Sequence, residues 1–426
     1  MSKQFLESQD TLRPDAPGVA GTDTLASRFE SGIVAADGPA HGVRTSKGNG
    51  SGSGTFGHAI LAAAMLLPGV GVVHAETPPE HASISVKVLS YDESQSSMDR
   101  IRVRSPSLSV VAPVAGVWSL SGSITADDVS GASPRYHTAV SGASRMSDDR
   151  KAGDLSATRY FPHASITVGA AYSTEHDYDS RALSLLGTLS SEDKNTTWSL
   201  GLGGSDDSIN PVNLIVKDES RQTLNFLAGV SQVIGTHDIA QLTLTHSRGH
   251  GYFSDPYKAF DLRPRQRNQS TLLARWNHHY ASTGGTSRLS YRYYTDSYGT
   301  RAHTFGGEYV QTLGDGWSLT PSARVYSQRA ARFYFDPVYD SKFGAPFPPG
   351  FVAGSGRFSS ADQRLSGFGA LTLGLKLAKQ IGRDWLVDVK VEAYQQRGNW
   401  RLFSEGSPGL EPLRAQSIQF GASRQF

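Results

Sequence analysis

The chain contains no cysteine in 426 residues. That excludes a disulfide-stapled fold and suits an exported bacterial chain that avoids thiol oxidation. Beyond residue 75 it has no run of about 20 apolar residues, which excludes a helical membrane protein. Charge of one sign is also lacking: the formal net charge is only +2, and a dedicated nucleic-acid binder would carry a strongly basic face. Glycine, by contrast, is abundant at 45 residues, aromatics make up 10%, and the mean hydropathy is −0.35. A transmembrane β-barrel reconciles these numbers. It confines its hydrophobicity to alternate residues, so a chain that is polar on average still presents an apolar belt to lipid.

One apolar stretch lies near the start. Residues 57–75 run through an alanine- and leucine-rich core to Val73, His74 and Ala75, with small residues at the cleavage-site positions. The expectation is a secretory signal peptide cut after Ala75. The Gly-, Ser- and Asp-containing residues 1–42 do not suit an export signal. We therefore expect translation to begin at Val43 from a non-AUG codon, with Arg44 and Lys47 as the positive segment. The expected division is a non-native or disordered extension over 1–42, a signal peptide over 43–75 and one outer-membrane barrel over 76–426.

Period-two alternation marks the mature chain. Leu224, Phe226, Ala228 and Val230 alternate with polar or small neighbours, as do Trp198, Leu200 and Leu202, and Leu371, Leu373, Leu375 and Leu377. The pattern predicts about sixteen strands (14–18) at 82–90, 99–111, 117–127, 153–161, 164–174, 181–190, 195–205, 220–234, 238–248, 268–280, 285–296, 301–313, 317–333, 364–381, 385–398 and 415–426. A soluble sandwich alternates too, but here short links such as 162–163, 235–237 and 314–316 take turns with generally longer ones at 128–152, 206–219, 249–267, 334–363 and 399–414. Tight periplasmic turns and long external loops are the mark of an outer-membrane barrel, and an even strand number puts both chain ends on the periplasmic side.

The final strand agrees. Ile418, Phe420, Ala422, Arg424 and Phe426 alternate to a terminal aromatic, and Phe420 and Phe426 read as the assembly signal for the barrel-assembly machinery, reached with periplasmic chaperones. Trp118, Trp198, Trp276, Trp317, Trp385 and Trp400 mostly fall near predicted strand ends, where they would form girdles at headgroup level.

With the apolar parity toward lipid, the inward set comprises Arg100, Arg102, Arg104, Arg288, Arg292, Arg324, Lys376 and Lys390, opposed by Glu308, Asp388 and Glu392. Basic groups dominate, and a low-dielectric wall focuses their potential to favour anions. The competing reading is that these charges pair off within a plugged interior. The Phe- and Pro-rich loop 334–363 is the candidate constriction or surface cap. Too few residues separate the cleavage site from the first strand for an N-terminal plug domain.

Other constellations are weaker. Glu175, His176 and Asp177, with Asp179, offer metal-ligand types within one short loop. Asp148 with Asp149 and Asp206 with Asp207 are candidate sites for divalent cations bridging lipopolysaccharide. Residues 249–258 mix His250, Ser254 and Asp255, but sequence adjacency does not supply the geometry of hydrolysis. The simpler reading is a folded loop whose Tyr252, Phe253, Tyr257 and Phe260 pack over the rim.

At 128–134 (DVSGASP), 172–180 (YSTEHDYDS), 218–223 (DESRQT) and 249–258 (GHGYFSDPYK) the chain resembles the domain of unknown function 3570 family, uncharacterised proteobacterial outer-membrane proteins. The resemblance spans essentially the whole mature chain. It implies a single barrel without established activity, and no catalytic or ligand residue carries over. Together these readings predict a porin-like outer-membrane channel for small polar solutes with mild anion preference. It would contact membrane lipid and lipopolysaccharide, and need neither cofactor nor catalytic centre. The alternatives are a plugged barrel whose external loops bind a partner, and a rim hydrolase.

Overall fold

The computed structural model describes residues 77–95, 98–134, 143–258, 260–337, 347–350, 352 and 354–426. The expected extension and signal peptide, 1–42 and 43–75, lie outside the described residues. Alternating side chains from Ser83 onward build sixteen strands: β1 (Ser83–Gln95), β2 (Met98–Val114), β3 (Trp118–Pro134), β4 (Ala143–Phe161), β5 (Ala164–Thr174), β6 (Tyr178–Ser190), β7 (Thr196–Ile209), β8 (Glu219–Val233), β9 (Asp238–Gly251), β10 (Gln266–Tyr280), β11 (Gly285–Asp296), β12 (Arg301–Gly314), β13 (Trp317–Arg329), β14 (Phe368–Ile381), β15 (Trp385–Arg397) and β16 (Leu413–Gln425). Each pairs antiparallel with its sequence neighbour, and β16 returns to β1 to close the barrel. The closing register runs from Ser83 opposite Gln425 to Gln95 opposite Leu413. It ends with the Phe426 N–H donating to the Ala82 carbonyl at 2.9 Å. Closure leaves no unpaired strand edge.

β5 and β11 have the bounds that the alternation predicts, whereas several strands run further at their outer ends. β3 continues to Pro134 and β4 begins at Ala143, inside the stretch 128–152 that reads as a loop. Above the membrane both faces of a strand meet water, so the apolar alternation fades while the backbone ladder continues. The opposite correction applies to 317–333 and 364–381. β13 stops at Arg329 and β14 starts at Phe368 because Ala331 and Leu365 join an aromatic cluster in the loops.

The outer wall is apolar along one parity: Ile84, Val86 and Val88 of β1, Leu200 and Leu202 of β7, and Leu373 and Leu375 of β14 are all exposed. Their neighbours of the other parity face the interior. At the short-turn end Trp118, Trp198, Trp276, Trp317 and Trp385 are exposed. Three carry a cation over the ring, Arg159 over Trp118 at 5.2 Å, Lys379 over Trp317 at 5.0 Å and Arg424 over Trp385 at 5.4 Å. This is the amphipathic girdle of a membrane interface. Trp400 departs from it, sitting in the β15–β16 loop. The turn between β12 and β13 places Asp315 (φ 49°) and Gly316 (φ 75°) both in the left-handed region, the backbone of a two-residue hairpin whose twist matches its strands.

Candidate channel lining and outer cap

Two arcs of the interior wall differ in character. From β4 to β9 it is built largely from small and hydroxyl side chains, which toward the short turns bond in cross-strand pairs: Thr158 with Thr167 at 2.9 Å, Ser165 with Thr188 at 2.7 Å and Ser190 with Thr197 at 3.0 Å. Gly201 and Gly203 share this inward face. Pairing hydroxyls with one another satisfies them without a charge.

From β10 to β15 the wall is charged, in successive rows fixed by strand register. Nearest the turns Asp388 stands opposite Ala378, and above it Lys376 and Lys390 stand directly opposite one another. The next row holds Arg288, Glu308, Ser322, Gly374 and Glu392 in order. Above it Arg275 and Arg324 flank Ser290 and Gly306. Arg292 lies a row further out, between Leu273 and Thr304, and has no carboxylate partner among the described residues. Arg288 reaches Glu308 at 2.9 Å, Lys390 reaches Glu392 at 3.2 Å and Lys376 lies 3.8 Å from Asp388. Arg324 bonds Thr372 at 3.1 Å and Arg275 bonds Gln241 at 3.3 Å. A Cβ at Gly374 would lie 2.5 Å from Ser322 Oγ and 3.1 Å from the Glu392 side chain, so the Ser322 hydroxyl would have to turn away from it. Arg275 was absent from the sequence-derived set, although its parity opposite outward-facing Trp276 could have found it.

Nearer the outer end, four buried ion pairs tie neighbouring strands together. Arg100 meets Glu93 at 3.4 Å and Gln95 at 2.7 Å, Arg150 meets Asp127 at 3.0 Å, Arg221 meets Asp207 at 3.0 Å, and Arg267 meets Asp296 at 2.9 Å. Of the eight charged residues only Arg100 stood in the sequence-derived lining. Two members of that lining need correction. Arg102 and Arg104 share the exposed parity of Leu108 and Val110 and point away from the interior. Arg102 pairs on the outside with Asp92 at 2.6 Å. A lipid-facing arginine is costly only within the hydrocarbon, and β2 extends above it.

The outer ends carry a folded cap. The β9–β10 loop, 252–265, is joined to the described part of the β13–β14 loop by a bridge between Leu262 and Ser359, and the latter loop is itself closed by a bridge between Tyr334 and Ser360. At the junction three carboxylates and three cations are buried together. Arg263 clasps Asp261 at 2.8 Å and Asp362 at 2.8 Å, Lys258 meets Asp362 at 2.8 Å, and Arg364 bonds Asp362 and lies 3.4 Å from Asp255. Such a cluster is tolerable only because the charges balance and are hydrogen-bonded. Burial pushes the Asp255 carboxyl up to about 7, with Lys258, Asp261, Arg364 and Asp362 around it. Burial acts on Asp362 in the same sense, but Arg364, Lys258 and Arg263 hold it well below the usual carboxylate range.

Aromatic contacts extend the cap sideways. Phe260 stacks near Phe347 with centroids 4.6 Å apart, and Tyr298 meets Phe333 at 4.9 Å. The Tyr257 hydroxyl donates to Asp177 at 2.6 Å and accepts from the Val212 N–H at 3.1 Å. The rim-packing role of Tyr252, Phe253, Tyr257 and Phe260 is therefore seen, and the described part of 334–363 belongs to the same cap.

The remaining candidates are dispersed. Glu175 and Asp177 are buried while His176 is exposed, and among the described residues no group of three metal-ligand side chains is placed to hold an ion. Asp207 faces inward to Arg221 and Asp206 outward; the Asp148 side chain lies outside those described. His250 is exposed on the outer wall, whereas Ser254 Oγ accepts from the Arg263 N–H at 2.9 Å. Phe420 and Phe426 are both exposed on the outer face of the closing strand.

Comparison with known proteins adds one assignment and several likenesses. Residues 57–411 match the family described as "Protein of unknown function (DUF3570)". No curated protein matches the chain. Among solved structures it is similar to a bacterial polysaccharide outer membrane secretin, with 10% identity, 83% of this chain and 99% of that chain covered and a TM-score of 0.48. It is also similar to CdiB from Acinetobacter baumannii (10% identity, 79% and 60% covered, TM-score 0.45). A third is OccD3 (OpdP) of Pseudomonas aeruginosa (10% identity, 83% and 93% covered, TM-score 0.40).

Proposed function

For this chain, which belongs to the DUF3570 family of proteins of unknown function, we propose the role of an exported outer-membrane channel passing small polar solutes, with a mild preference for anions and no catalytic step. The observation that carries the reading is the asymmetry of the lining. The β10–β15 arc bears Arg275, Arg288, Arg292, Arg324, Lys376 and Lys390 against Glu308, Asp388 and Glu392, and it faces a β4–β9 arc of hydroxyls and glycines whose inward charge below the outer-end ion pairs is the single carboxyl of Asp154, bonded by Ser123. A barrel of sixteen strands is wide enough for water. The excess of positive charge on one side of a low-dielectric wall attracts anions, and the facing arc of small side chains leaves them room to pass. Lipid and lipopolysaccharide outside, and the barrel-assembly machinery and chaperones during biogenesis, are the partners this role requires.

The cap favours a second reading, a barrel closed at its outer end whose loops present a surface to a partner. Conductance of the refolded barrel in planar bilayers under a salt gradient separates the two. Open steps with an anion-selective reversal potential support the channel. Silence from a barrel shown to be folded by heat-modifiable gel mobility supports the capped one.

A further inference from the structure

On the outward face of β12 and β13, Arg301 and Arg329 stand directly opposite one another. Both are exposed, and neither has a carboxylate partner among the described residues. Like charges in direct cross-strand apposition are destabilising, so this pair is poorly placed unless an anion lies between them. A third cation joins from a distant part of the chain. The β15–β16 loop folds over the outer wall, where the Leu402 N–H donates to Ser327 Oγ at 2.8 Å. It approaches so closely that a Cβ at Gly369 would lie 2.0 Å from the Trp400 carbonyl. That docking sets Arg401 close enough to Arg329 that partial burial first, and the Arg329 charge second, lower its guanidinium below the ordinary value. Glu405 in the same loop gives Arg401 its backbone carbonyl, at 2.6 Å.

Below these cations the same wall changes character. Descending β12, the outward residues are Arg301, His303 and Phe305, and beside them on β11 are Thr295, Tyr293 and Tyr291, followed by Leu289. Phe403, held at φ 67°, is 88% exposed with its ring centroid 6.0 Å from that of His303. From β10 to β16 no outward-facing strand position carries a carboxylate, whereas Asp92, Asp128 and Asp206 are exposed on β1–β8.

We propose that Arg301, Arg329 and Arg401 form a binding site on the outer wall for the phosphate of a lipid headgroup, with Phe403 and the aromatic residues below it lying against the attached acyl chains. Guanidinium groups suit a phosphate because each offers a planar fork of donors. The vertical order of cations, then aromatics, then the aliphatic belt follows the order of phosphate, interface and hydrocarbon in a leaflet. At the outer ends of the strands, in the outer membrane of the proposed function, the phosphorylated lipid is lipopolysaccharide, whose lipid A carries phosphate on a sugar. The site rests on the barrel standing in that membrane. It does not depend on the lumen conducting, and lipid retention is read on the folded barrel whether or not it conducts.

The test is native mass spectrometry of the refolded barrel in detergent micelles supplied with lipid A, with dephosphorylated lipid A or with phosphatidylglycerol. The wild type should retain lipid A over the dephosphorylated form by about tenfold or more, the scale of one charge-assisted hydrogen bond. The combined variant R301Q/R329Q/R401Q should lose that preference, while R102Q/R104Q on the distant strand β2 should keep it. Equal retention of the two lipid A forms by the wild type overturns the proposal without any variant having to fold. So does displacement of lipid A by millimolar inorganic phosphate, which would make this a free-anion site. Preference for phosphatidylglycerol over lipid A would reassign the source of the phosphate and overturn the choice of lipopolysaccharide.

Discussion

Lys376 and Lys390 face each other directly across β14 and β15, both pointing into the barrel, and each leans to a different carboxylate, Asp388 at 3.8 Å and Glu392 at 3.2 Å. The pair is a like-charge contact held by two acids, so its net effect on a passing ion depends on whether those acids remain charged.

Glu392→Gln should therefore increase anion preference, and Lys390→Gln should reduce it. At about 10 Å in water one charge is worth about 0.4 kcal/mol, or about a twofold change in ion partition. Reversal potentials of the two variants under a salt gradient should move in opposite directions from the wild type.

Asp362 is the hub of the cap cluster, touching Lys258, Arg263 and Arg364. Asp362→Ala leaves three buried cations facing two carboxylates, a loss of about 3–5 kcal/mol for one broken buried pair. The barrel strands do not depend on it. Limited proteolysis should accordingly cut the 252–265 loop faster while heat-modifiable mobility of the barrel is retained.

The same cluster sets a pH dependence. Asp255 has its carboxyl raised by burial to about 7, so between about pH 4, the unfolded value, and pH 7 the folded cap holds a proton that the unfolded chain has released. Its contribution is fully present below about pH 4 and is lost as the pH rises to about 7. Asp362, held low, contributes in the other sense, its stabilisation being lost only as the pH falls through its depressed value. Protection of the 252–265 loop from protease should weaken from pH 5 to pH 7, and Asp255→Asn should flatten that slope.

Gly369→Ala tests the docking of the β15–β16 loop. The added methyl would meet the Trp400 carbonyl at 2.0 Å, and a rigid backbone clash of this kind costs about 1–3 kcal/mol. The expected outcome is increased protease cleavage within 398–412 with the barrel intact. Unchanged cleavage would show that the loop does not rest on β14.

How much of this was legible depended on where each residue sits relative to the lipid. Within the hydrocarbon a strand has one apolar and one polar environment, so the inward assignment of Arg288, Arg324, Lys376, Lys390, Glu308, Asp388 and Glu392 could be read from the parity of Leu289, Val325, Leu375 and Val391. Arg102 and Arg104 were misread because they lie beyond that layer, where parity no longer distinguishes lumen from solvent. The buried pairs of Arg150 with Asp127 and Arg221 with Asp207 were not foreseen, because partners 23 and 14 residues apart meet only once strand register is set.

Alternation and link lengths determined by themselves the antiparallel barrel of about sixteen strands (14–18), because a period-two pattern in a slab of lipid has one stable solution. The tertiary structure alone decided which loops join. Asp255 and Arg364 are 109 residues apart, and Leu402 of the β15–β16 loop docks on Ser327 of β13, 75 residues away. Loops obey no periodicity, and their pairing follows from charge neutralisation and shape in three dimensions, quantities that a linear pattern does not carry.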